Sequence, residues 1–311
     1  MNYFIIDGLN LAYRAHNAKF DLKTASGDFS GMFYLFIKII FSLKKKYRGY
    51  RFQVAWDRKP LHKYDLQEDY KSGRVKLPKA VTNQIPDIEE FLHSCNIDQF
   101  HAEDQEADDV IASLVEKYSA KESDNNCVVY TNDKDMLQLV RDGKVTIFKP
   151  KVGLSPEKFY DEEAVYNHFG VKPHLLPYFR SLAGDSSDTL RGINRVPRKK
   201  LASMVIKYKN LDTIYNKLDL ENLTTKERSH LAEGKDRVFN NLKIIFLNRS
   251  LKNIIHDKPE IDKEILNRLI DKYEIKTIDI DSMVDLFSSD LNIRYTDPKP
   301  PAELKSLSLF N

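Results

Sequence analysis

The chain has 311 residues, 41% of them hydrophobic and 11% aromatic, enough for one large domain or two ordinary ones with a buried core. Its 49 basic and 46 acidic residues leave a net charge of only +3, so any information about partners lies in how the two signs are segregated. Two cysteines without CxxC spacing and eight histidines without HxH or HExxH spacing argue against a disulfide framework and against zinc. A reduced, cytoplasmic setting is the expectation.

In chain order, Tyr3–Ile6, Phe52–Trp56 and Cys127–Tyr130 are short, β-prone apolar runs. Each ends on a carboxylate: Asp7, Asp57, and Asp133 after Thr131-Asn132. Met1 runs within five residues into Asp7, so no secretory leader is expected. The intervening segments Phe29–Tyr47, Ile85–Cys95 and Glu106–Tyr118 show helical periodicity. The first holds the longest apolar stretch, Met32 to Leu43, but Lys38 breaks it and basic residues end it, which predicts a buried helix rather than a membrane span. Strand–helix alternation predicts an α/β fold, a mostly parallel central sheet flanked by helices, with its crevice outside the carboxyl ends of the strands. After Pro150 the pattern becomes helical: Asp161–Phe169, Pro173–Ala183, Arg198–Tyr208, Leu211–Leu218 and Asp236–Leu247. The expected organisation is an α/β core over 1–160, a helical region over 161–296 and a Pro-rich tether with a tail over 297–311.

Nine acids recur at the ends of apolar runs: Asp7, Asp57, Glu106, Asp108, Asp109, Asp133, Asp135, Asp185 and Asp188. Carboxylates gathered in one place repel, and hard oxygen ligands of this kind suit Mg²⁺ or Mn²⁺. Each motif also has an ordinary structural explanation. Acids favour a helix N-terminus, as in Glu106-Ala107-Asp108-Asp109; Asp is common in turns, as in Asp133-Lys134-Asp135; and Gly184-Asp185-Ser186-Ser187-Asp188 is compatible with a helix cap. Their order and context together point to metal-dependent phosphate chemistry. No GxGxxG or GxxxxGK[ST] follows a strand, which disfavours a nucleotide-binding Rossmann protein.

Asp7-Gly8-Leu9-Asn10-Leu11-Ala12-Tyr13-Arg14-Ala15 resembles the opening motif of the 5′ nuclease family. That family includes flap endonucleases and the N-terminal 5′→3′ exonuclease domain of bacterial DNA polymerases. Asp57, Tyr70-Lys71-Ser72-Gly73-Arg74, Glu106-Ala107-Asp108-Asp109, Asp133-Lys134-Asp135 and Gly184-Asp185-Ser186-Ser187-Asp188 follow in the family's order, over roughly residues 2–210. With no polymerase region following, the chain resembles a free-standing member of the kind phages and some bacteria encode. The resemblance implies two divalent ions, Mg²⁺ with Mn²⁺ as a substitute, about 4 Å apart. Asp7, Asp57, Glu106, Asp108 and Asp109 would serve the first, Asp135, Asp185 and Asp188 the second, and Asp133 would lie between them. Lys71 and Arg74 would stabilise charge on the phosphate at the base of a helical arch, about 71–90, in which Tyr70 stacks on a base and Lys76 and Lys79 add charge. Arg14 would touch phosphate or pair with an acid.

The segment Arg191 to Lys200 has five basic residues and no acid. It resembles the family's helix–turn–helix-like grip on duplex phosphates, through Arg191, Arg195, Arg198, Lys199 and Lys200. Arg195 and Pro197 stand where the family usually has glycines, and Thr189 where it has Asn. Pro197 has no N–H to offer, which leaves a K⁺ site in doubt and predicts a steeper salt dependence of binding. Leu307, Leu309 and Phe310 in the tail resemble a peptide that docks on a bacterial-type sliding clamp. The implied activity is structure-selective cleavage, 5′→3′ exonuclease or flap endonuclease, by a monomer acting on branched, nicked or flapped DNA and on RNA–DNA hybrids in replication. A catalytically silent junction binder and a PIN-like ribonuclease are the alternatives.

Overall fold

The computed structural model describes residues 1–18, 22–58, 78–120, 123–151, 155–186 and 188–288. Its centre is a seven-stranded sheet in the order β6-β5-β4-β1-β2-β3-β7. Here β1 is Asn2–Asp7, β2 Tyr50–Ala55, β3 Asp98–His101, β4 Cys127–Tyr130, β5 Val145–Lys149, β6 Lys158–Tyr160 and β7 Ile255–Asp257. The five inner strands pair in parallel, and the two edge strands run antiparallel to their neighbours. In register, Asp7 pairs with Ala55 and Ile6 with Tyr130, so the acid-bearing ends of β1, β2 and β4 lie side by side.

Successive residues of a strand point to opposite faces. On one face Phe4, Ile6, Phe52 and Val54 pack beneath α1 (Gly8–Asn17), α2 (Gly31–Lys46) and α3 (Ile85–Ser94). This layer is aromatic: Phe4 stacks on Phe52 with centroids 4.7 Å apart, and Phe33 on Tyr273 at 4.0 Å. Each such ring contributes about 1.5–3 kcal/mol by burial. On the other face Ile5, Ala55 and Val129 meet α4 (Ala107–Tyr118) through Val110, Ile111 and Leu114. Among the described residues no helix is long and apolar enough to cross a membrane.

Beyond β6 the chain forms α5 (Glu162–Phe169), α6 (Leu176–Ala183), α7 (Arg198–Tyr208), α8 (Leu211–Asn216), α9 (Thr225–Glu233) and α10 (Lys235–Ile245). Asp161 caps α5, and Thr224 with Glu227 forms a capping box on α9. The last described segment, 255–288, had been grouped by sequence with the helical region. It contributes β7 to the sheet edge and then α11 (Lys263–Lys272) and α12 (Ile280–Ser288), whose Leu266, Leu269, Val284 and Phe287 join the aromatic face. A three-residue edge strand, Ile-His-Asp, carries too little alternation to be read from sequence.

Candidate metal and nucleic-acid site

Asp7 ends β1 and caps α1 at once. Its Oδ1 accepts from the Asn10 N–H at 2.9 Å and its Oδ2 from the Thr131 hydroxyl at 3.0 Å. Gly8 follows because there is no room for a side chain: a Cβ there would lie 2.7 Å from the Trp56 ring. Asp57 accepts from the Ala107 N–H at 3.3 Å, which ties the end of β2 to the first turn of α4. Burial, reinforced by the neighbouring Asp57, pushes the Asp7 carboxyl up to about 7. The Asn10 and Thr131 bonds only partly oppose that rise.

After β4 the chain turns through Asp133, whose Oδ1 accepts from the Asp135 N–H at 2.7 Å. Asp135 opens a short 3₁₀ turn, Asp135–Leu139, and Gln138 bonds the Asp135 carbonyl at 2.9 Å. The loop after α6 delivers the last acids. Asp185 and Leu190 exchange two backbone hydrogen bonds of 2.8 Å. Gly184 has φ +76°, and a Cβ on it would sit 2.4 Å from the Gly192 nitrogen, so glycine is required where the two arms of the loop cross. Asp135, Asp185 and Asp188 thereby converge, each offering an oxygen within 4.8 Å of the others, and all three are buried. Two unit charges at that separation repel by about 3.5 kcal/mol even at an effective dielectric of 20. Burial, with Asp133, Asp188 and Asp185 adding to it, raises Asp135 to about 8 despite the opposing pull of Arg180.

Arg180 is the participant that sequence reasoning missed. It is 3% exposed, and its guanidinium forks between the carboxylates of Asp135 and Asp185. A lone cation inside an otherwise apolar helix, one turn before Gly184-Asp185, is the signal that could have found it. This donor set, all carboxylate oxygens and all buried, fits a hard divalent cation.

The remaining acids differ in placement. Glu106 is buried at the N-cap of α4 and Asp108 is half-buried in its first turn. Asp109 accepts from the Asn248 N–H at 2.8 Å through Oδ1, which links α4 to the loop after α10. The side chain packs there because it is the inward position of that turn, 2% exposed.

The basic residues also divide. Arg191, Arg195, Arg198 and Lys199 are exposed, and Arg198 lies over the Phe179 ring at 5.1 Å. Lys200 is bound to Glu227 at 2.8 Å, an internal pair joining α7 to the capping box of α9. Arg14 donates to the Lys151 carbonyl rather than to an acid. Thr189 and Arg195 have φ of +64° and +59°, the left-handed region that the usual Asn and Gly of these positions enter at little cost. Lys79 is exposed in a single helical turn, Lys79–Thr82. Tyr70, Lys71, Arg74, Lys76, Leu307, Leu309 and Phe310 lie outside the described residues.

A mostly parallel sheet with helices on both faces and a cluster of buried carboxylates describes a class of α/β proteins equipped to hold a divalent metal. Within that class residues 2–170 match the family model described as 5'-3' exonuclease, N-terminal resolvase-like domain. The chain is 30% identical over 283 residues to a 5'-3' exonuclease of Mycoplasmopsis pulmonis, covering 89% of this chain and 92% of that protein. It is likewise 30% identical to DNA polymerase I of Caldicellulosiruptor bescii, of which it spans 33%. The T5 D15 protein co-crystallised with metal ions superposes with a TM-score of 0.62 at 19% identity, over 88% of this chain and 98% of that one. The catalytic core of Rad2 in complex with DNA substrate gives 0.58 at 15% identity, over 92% and 91%. The chain belongs to the 5′-3′ exonuclease family of nucleases.

Proposed function

We propose that this chain is a divalent-metal-dependent 5′ nuclease that cleaves branched, nicked or flapped DNA and RNA–DNA hybrids, removing RNA primers or 5′ flaps during replication in the cytoplasm. The observation that carries the reading is the convergence of Asp135, Asp185 and Asp188, joined through Asp133, whose charge acts on both Asp135 and Asp7, to the Asp7 and Asp57 pair. Asp7, Asp57, Glu106, Asp108 and Asp109 are assigned to one Mg²⁺, and Asp135, Asp185 and Asp188 to a second, with Asp133 between. Asp109 also holds the start of α4 against Asn248. Divalent ions held by these carboxylates would supply a lowered pKa for an attacking water and positive charge beside the leaving oxygen.

The chain's own residues do the rest. Arg180 keeps Asp135 and Asp185 in fixed orientation, and Thr131 does the same for Asp7. Lys71 and Arg74 are assigned to the non-bridging oxygens and Tyr70 to a stacked base, on the strength of the sequence motif. Arg14, Lys76, Lys79, Arg191, Arg195, Arg198 and Lys199 are assigned to phosphates, and Lys200 to ordering α7 against α9. The tail residues Leu307, Leu309 and Phe310 are assigned to a sliding clamp, and the working unit to a monomer.

The test is cleavage of a 5′-labelled flap DNA with Mg²⁺ or EDTA by wild type and Asp185→Asn. Removing one ligand forfeits several kcal/mol of charge stabilisation, so the variant should be slower by about a thousandfold or more. Tight binding with no cleavage by wild type in Mg²⁺ or Mn²⁺ would make the protein a silent junction binder instead.

A further inference from the structure

A groove of about 620 Å³ opens on the α4 face of the sheet, between the C-terminal half of α4 and residues 249–256. Its floor is Tyr3, in the amino-terminal half of β1, and Arg51 and Gln53 on β2. Two buried polar atoms of its lining are unmatched among the described residues. Gln53 is 2% exposed; its amide nitrogen donates to the Tyr118 hydroxyl at 3.1 Å, but its Oε1 accepts nothing. Arg249 gives Nη2 to the Gln138 carbonyl at 3.0 Å, and its buried Nε has no acceptor. Buried groups of this kind are ordinarily satisfied, and one acceptor and one donor left open in a single groove ask for a ligand carrying both functions.

The charge and shape of the groove narrow the choice. Lys117 and Lys252 stand exposed on its rim beside Arg249, while Glu116 is drawn off by Arg141 at 3.4 Å. Arg51 and His256 are both bonded to the buried Asp98 and hold the floor. Flat apolar surface comes from Tyr118, stacked on Tyr3 at 3.9 Å, and from His256, stacked on Phe100 at 4.4 Å. The volume lies in the range of small-molecule sites, about 300–1,000 Å³. An anion alone would leave Gln53 unmet, and a neutral ring alone would leave the three cations unmet. We propose that this groove binds a nucleoside monophosphate, its phosphate on Lys117, Arg249 and Lys252 and an N–H of its base on Gln53 Oε1. The site stands apart from the carboxylate centre, and the argument for it does not use the nuclease reading.

Titration calorimetry of the full chain in EDTA with dAMP, deoxyadenosine and inorganic phosphate tests it. Saturable dAMP binding is expected, with each fragment weaker by about tenfold or more. Gln53→Leu should weaken dAMP by about tenfold, and so should the double variant Lys117→Ala/Lys252→Ala, whose exposed side chains leave folding untouched. Asp185→Asn should leave dAMP affinity unchanged. The proposal is overturned if wild type does not bind dAMP, or if phosphate binds as tightly, which would make it an anion site only. Unaltered affinity in the lysine variant would overturn it too, as would loss of binding in Asp185→Asn, which would move the ligand to the carboxylates.

Discussion

Among the described residues, Asp7 and Asp57 accept at the ends of β1 and β2 from the Asn10 and Ala107 N–H groups and the Thr131 hydroxyl, whereas Asp135 and Asp185 share the buried guanidinium of Arg180. Neutral donors orient a carboxylate without cancelling its charge. A forked guanidinium does both, for two carboxylates at once. The half of the centre built on the sheet is therefore shaped by the strand ends themselves. The half built on the loop after α6, which has no strand to align it, is shaped by a cation from the preceding helix. In both halves burial still wins: Asp7 is raised to about 7 and Asp135 to about 8.

Paired variants would break or sharpen this contrast. Arg180→Met removes the only cation bridging Asp135 and Asp185 among the described residues and should cost about 3 kcal/mol of stability in EDTA. Saturating Ca²⁺ should restore much of that loss, since the ion takes over the missing charge. Thr131→Val removes one neutral hydrogen bond from Asp7 and should cost about 1 kcal/mol. Denaturant midpoints with and without Ca²⁺ give both numbers. Equal losses, or a larger loss in the threonine variant, would show that the two halves are held alike.

The smallest effect expected lies downstream in the same loop. Arg195 has φ +59° and an exposed side chain, so backbone and charge oppose each other. Arg195→Gly should stabilise the protein by about 1 kcal/mol by removing the left-handed strain. It should also lower the slope of log K against log salt for duplex binding by about one. A destabilised glycine variant would mean that the arginine side chain holds the loop.

The sheet end of the site was legible in the sequence because β-prone runs of four to six residues stop on Asp7, Asp57 and Asp133, and parallel strands gather such ends by construction. Asp185 and Asp188 were legible as a motif, but their meeting with Asp135 depends on the crossing of Gly184 and Gly192, which no local pattern encodes. Arg180 was hidden because a single arginine in an apolar helix reads as a surface residue until its burial is known. Asp109 and Lys200 share the reverse problem. Each sits in a motif read as binding a ligand, and the structure gives each an intramolecular partner that no local pattern encodes, Asn248 for one and Glu227 for the other. β7 was lost to its length, and with it the return of residues 255–288 to the sheet.

The most direct test of the account is the number of Mn²⁺ ions bound per chain, measured by electron paramagnetic resonance without DNA on wild type, Asp7→Asn and Asp185→Asn. Two ions for wild type and one for each variant would follow from two carboxylate sets sharing one edge of the sheet. A single ion in wild type, or loss of all binding in either variant, would contradict the division into two halves.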